Sequence, residues 1–204
     1  MALDYYLILG EDGRLQALLV EEFVHRPDFT AAALDSAVFD GTWWSSAEFS
    51  RSLRTDAQLS ARVTPTSRAG AEAVYGELGG DLLPDDDALR TRFHDRSTFP
   101  DAAPLRLGPK DARRVYRVLF ARDLDERRLG QLCGALQLSP VDDPRVAGRA
   151  TQPDLAMWEL RRVGGVAWSV DVTFPGEVSG DLLWDLIATV RGHGLIPVTV
   201  ERFA

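Results

Sequence analysis

Cysteine occurs once in this 204-residue chain, at Cys133, so no internal disulfide can form and no cysteine-rich metal site exists. The three histidines, His25, His94 and His193, are far apart, and none has the short spacing that presents paired metal ligands. Lysine also occurs once, at Lys110, and every other basic side chain is arginine. With abundant alanine and glycine, that bias reads as the codon usage of a high-GC bacterial genome. No apolar run reaches membrane-spanning length, and Asp4, Glu11 and Asp12 interrupt any leader-like start. These absences lead to the expectation of a cytoplasmic chain with no membrane partner. Also missing are a G-x-S-x-G elbow, a P-loop and a G-x-G-x-x-G turn, so no catalytic residue, cofactor site or metal site is signalled.

What is present is ordinary in amount: 45% hydrophobic and 26% charged residues, enough in 204 residues for a core without metals or disulfides. The net charge is −8, with a pI near 4.9. A uniformly acidic surface repels nucleic acid and favours a basic partner. The arginine pairs at 113–114, 127–128 and 161–162 stand without interleaved aromatics, so no nucleic-acid platform is expected.

The last forty residues are the most legible. Val166, Trp168, Val170, Val172 and Phe174 alternate with Ala167, Ser169, Asp171 and Thr173, the pattern of a strand with one apolar face. Ser179 is placed to cap a helix carrying Leu182, Leu183, Leu186, Ile187 and Val190 on one stripe, with Gly192 and Gly194 at its end. Ile196, Val198 and Val200 mark a second strand, and Pro197 places it at an edge or turns that N–H site away from a partner. Upstream, Met157–Val163 reads as a strand joined to Val166 by a Gly164-Gly165 hairpin turn.

Earlier, residues 3–9 and Leu15–Val24 read as a hairpin around Asp12-Gly13. A helix is expected from Pro27 to Val38, then Trp43-Trp44 in a loop, then a short helix capped by Ser45 with Glu48 three residues on. Leu59–Thr64 reads as a strand stopped by Pro65. Helices are expected over Ser67–Leu78 and Asp85–Phe93. His94–Pro109, with three prolines, reads as a linker between halves at 1–100 and 105–204, with one continuous domain as the alternative.

Pro109–Ala121 supports two readings. Ala112, Val115, Tyr116, Leu119 and Phe120 fit a helix stripe, which is favoured here; Tyr116, Val118 and Phe120 also alternate. As a strand it would give the second half the ferredoxin-like order of elements. A helix with Leu129, Leu132, Cys133 and Leu136 follows a cap at Asp123, and residues 139–154 read as a loop. The fold class is α+β.

The histidines, Asp85-Asp86-Asp87, the Asp123–Glu126 acids and Cys133 all have sufficient structural explanations in helix ends and core stripes. Trp43-Trp44 is the one pair that points outward from folding, because neighbours in an extended segment face opposite ways and exposed tryptophan is enriched at binding hot spots. The expected function is a non-catalytic protein-binding module of the inhibitor or immunity-protein kind, with a basic protein partner and Trp43 and Trp44 in its interface. Two alternatives stand beside it. One is an enzyme or small-molecule binder whose dispersed site draws on Arg117, His94 and the Asp123–Glu126 carboxylates. The other is a structural subunit of an oligomer.

Overall fold

The computed structural model of the chain describes residues 3–101, 113–165 and 167–203. It is an α+β protein, with two antiparallel sheets and six helices among the described residues. The chain divides into two compact units: Met1–Arg26 with Ala31–Pro100, and Pro27–Thr30 with Asp101–Ala204.

In the first unit, β1 (Asp4–Leu9) and β2 (Leu15–His25) form the expected hairpin. Here β3 (Ala31–Phe39) corrects the helix expected over 27–38. Its alanines favour helix by propensity, but this strand is paired on both sides, by β2 on one and by β4 (Trp43–Ser45) and β6 (Arg96–Thr98) on the other, and seven of its side chains from Ala33 on are buried. A central strand covered on both faces needs no alternation, and tertiary pairing overrides propensity. β5 (Val63–Thr66) closes the order β4-β3-β2-β1-β5, with β6 beside β4 along β3. Pro65 lies inside this edge strand and does not terminate it, since an outward N–H site tolerates proline. Residues 59–61, read as strand, belong to the short helix α2 (Ala57–Ala61), capped by Asp56.

Two helical layers flank this sheet. The face carrying Leu3, Tyr5, Leu18, Val20 and Phe39 packs against Ala71 and Tyr75 of α3 (Arg68–Tyr75) and Leu89 of α4 (Asp86–Arg90). Ser67 and Asp85 cap these helices through the amides of Gly70 and Ala88. The opposite face meets α1 (Ala47–Thr55), whose cap is Ser46, through Phe49 N–H, rather than the expected Ser45. Ser45 is still in β4; its hydroxyl bonds Asp95 and accepts from the main-chain N–H of His94.

The second unit carries β7 (Arg114–Ala121), α5 (Glu126–Ala135), β8 (Val146–Gln152), β9 (Ala156–Val163), β10 (Ala167–Phe174), α6 (Gly180–Gly192) and β11 (Ile196–Arg202), with sheet order β11-β7-β10-β9-β8. Without β8 this is the ferredoxin-like order, every neighbour antiparallel. β7 corrects the favoured helix: paired on both sides, it buries Tyr116, Val118 and Phe120 on one face, so the period of two prevails. The 109–112 part of that expectation lies outside the described residues, as do 102–109 of the expected linker and Val166. Asp125, not Asp123, caps α5. Asp123 instead accepts from Arg162 and from the Trp168 indole.

β8 falls within the expected loop. Its sequence, VAGRATQ, alternates poorly, and it exists because β9 offers an edge. At Gly148 a Cβ would lie 2.7 Å from Leu138 Cβ and 2.9 Å from the Ser139 carbonyl oxygen, which explains the glycine. The Gly164-Gly165 hairpin has φ of 60° and 80°, the positive angles its two-residue turn demands. Pro197 sits on the outermost strand, β11, beside a register shift before Thr199.

Candidate functional site

Trp43 and Trp44 occupy consecutive positions of β4 and so face opposite sides of the sheet. The Trp43 ring lies 5.2 Å from Phe39 and 6.0 Å from Tyr75, and its indole N–H donates to the Tyr75 hydroxyl at 3.2 Å. It is part of the core packing. Trp44 is 38% exposed; its N–H donates to Asp40 and its ring meets Phe49 edge-on at 5.8 Å. The pair therefore offers one indole face to solvent, not two.

The other sequence candidates disperse. Asp85 caps α4, Asp86 accepts from the Tyr5 hydroxyl and Arg68, and Asp87 pairs with Arg90. Burial beside Asp86 pushes the Tyr5 phenol up to about 12. Cys133 is half-buried on α5, and burial raises its thiol pKa, the opposite of an activated nucleophile. His94 is exposed in the first unit, and His193 is the C-cap of α6. Arg117 is bound by Asp171 at 2.6 and 2.5 Å and lies under Phe203. His94 belongs to the first unit, and Arg117 and the Asp123–Glu126 acids belong to the second. Among the described residues no group of three or more His, Cys, Asp or Glu side chains is placed to hold a metal.

A different place in the second unit has the form of a site. α5 stops at Ala135, and the chain turns away through Gln137, whose φ is +55°. The sheet beneath and α6 beside it continue. The step leaves a groove of about 860 Å³. One wall is α6, where Leu182, Asp185, Leu186 and Thr189 follow the i, i+3, i+4, i+7 spacing of a single helix face. The other wall is the end of β8, Ala150 to Gln152. Trp158 of β9 lies in the lining, its ring fixed by a 3.1 Å bond from its indole N–H to the Leu136 carbonyl. Leucine and tryptophan carbon is thus rimmed by the amides and hydroxyls of Gln137, Ser139, Thr151 and Gln152, the mixture typical of ligand grooves.

Among the described residues only two lining side chains are charged. Arg149 is held by Glu159 on the neighbouring strand, Nε to Oε1 at 2.7 Å. Among the described residues the Asp185 carboxylate has no ion pair or hydrogen bond. The negative end of the α5 dipole closes the same side of the groove, so the local field is negative.

Sequence reasoning passed over these residues. Asp185 reads as the polar side of an amphipathic helix, and Trp158 as one member of an alternating strand. The groove between them depends on β8 and on where α5 stops, and β8 carries no strand signal of its own. No protein-family model matches the chain, and comparison with curated proteins and with solved structures finds no match.

Proposed function

We propose that the protein is a non-catalytic binding module, of the inhibitor or immunity-protein kind, that seats a segment of a protein partner in the groove between α6 and β8. The observation that supports this reading is the groove itself: open, apolar at its base, rimmed by groups that both donate and accept hydrogen bonds, as a peptide main chain requires. The outward indole face of Trp44 is a second contact candidate on the first unit.

The test is affinity capture from the source cell with mass spectrometry, using a Asp185→Arg/Thr189→Trp double variant to fill and recharge the groove. Both positions lie on the accessible side of α6, and circular dichroism verifies that the variant folds. A single stoichiometric partner, lost with the double variant and kept with Trp44→Ala, supports the reading. A partner lost only with Trp44→Ala moves the interface to the first unit. No partner, together with a thermal shift from a metabolite screen, favours the alternative of a small-molecule binder, for which a groove of 860 Å³ is large enough.

A further inference from the structure

We infer that the groove recognises a cationic side chain, an arginine or lysine flanked by apolar residues in the partner's segment, with Asp185 as its counter-ion. This inference rests on the binding-module reading and names the chemistry of the occupant. Three observations converge on it. Among the described residues Asp185 is the one lining carboxylate, and it is uncompensated there. Among the described residues the only lining cation, Arg149, is neutralised by Glu159 at 2.7 Å and leaves the field at Asp185 unopposed. The C-terminal end of α5, at Ala135–Gln137, adds its partial negative charge.

The surroundings suit such a side chain beyond its charge. Half-buried Leu182, with the small exposed edges of the largely buried Leu186 and Trp158, supplies carbon surface on which the methylenes of an arginine or lysine stem can lie while the head reaches a carboxylate. An aromatic ring beside a guanidinium adds a further attraction. A neutral segment gains only the apolar contact, and an acidic one is repelled. The whole chain's −8 charge steers encounter in the same direction.

The test is an NMR titration of the intact protein with an acetylated, amidated tripeptide of arginine between two leucines. The comparator replaces arginine with citrulline, which keeps the shape and removes the charge. The Trp158 indole resonance, assigned with Trp158→Phe, reports occupancy of the groove. The expected result is saturable binding of the arginine peptide, weakened about tenfold or more by citrulline and to the same degree by Asp185→Asn. Equal binding of the two peptides, or arginine-peptide binding indifferent to Asp185→Asn, overturns the inference while leaving a groove that accepts neutral segments. Absence of binding by either peptide also overturns it. The binding-module reading is then decided separately by the capture experiment, whose readout does not depend on peptide charge.

Discussion

Glu21 and Arg54 form a buried ion pair in the first unit that the chain pattern gives no hint of. Glu21 is fully buried, and Arg54 of α1 reaches it with two parallel bonds of 3.0 and 2.8 Å while also donating to the Ser50 carbonyl and lying over Phe23. Burial, reinforced by the Glu21 charge, drives the neighbouring Tyr6 phenol well above its ordinary pKa. Removing one partner strands a charge in the core, so Glu21→Gln should cost about 3–5 kcal/mol in urea unfolding. Replacing both, as Glu21→Leu with Arg54→Met, should restore most of that loss. His25 makes a second prediction at this scale. Burial lowers its pKa from 6.5 to about 4. Between those values the unfolded chain holds the proton and the folded chain does not. Stability is therefore complete above pH 6.5 and falls as the pH drops towards 4. In His25→Gln, the pH dependence of the urea midpoint should be flatter across this window.

The elements divide by whether a segment's own pattern or its neighbours decide its form. Ser179, the leucine stripe and Gly194 make α6 readable alone, and the structure has Ser179 capping Leu182 N–H and φ of +96° at Gly194. Leu186→Ala on its buried side should cost about 2–5 kcal/mol, measured by denaturant unfolding. The Gly164-Gly165 hairpin was legible for the same local reason. β3, β7 and β8 were not, because each takes its conformation from pairing with residues distant in sequence. Ala31–Ala33 lean to helix by propensity, Val115–Phe120 fit both periods, and Val146–Gln152 fit neither. The candidate site shares that fate. Its α6 wall could be listed from helical spacing, but nothing in 139–154 announced the opposite wall.

At the scale of the molecule, charge is the property that sequence and structure express in the same terms. Arg149, Glu159, Asp171, Arg117 and Glu201 align in register across all five strands of the second sheet, the first four linked as Arg–Glu and Asp–Arg pairs. Arg161 joins the middle of the row through Glu159 and Asp171. The basic residues in this row are thus consumed internally. Capture of a cationic partner should weaken steeply as salt rises past about 0.15 M, where the screening length falls to about 8 Å; a salt-independent yield would argue for a purely apolar contact.

The prolines on outer strands have a consequence for the molecule at high concentration. β5 and β11 each end a sheet, and each carries a proline, Pro65 and Pro197, with a register shift beside the second. A strand that lacks a donor and bends out of plane is a poor template for another chain to extend. Pro65→Val and Pro197→Val would regularise those borders, and thioflavin-monitored incubation should then show earlier fibrillar growth than the parent chain.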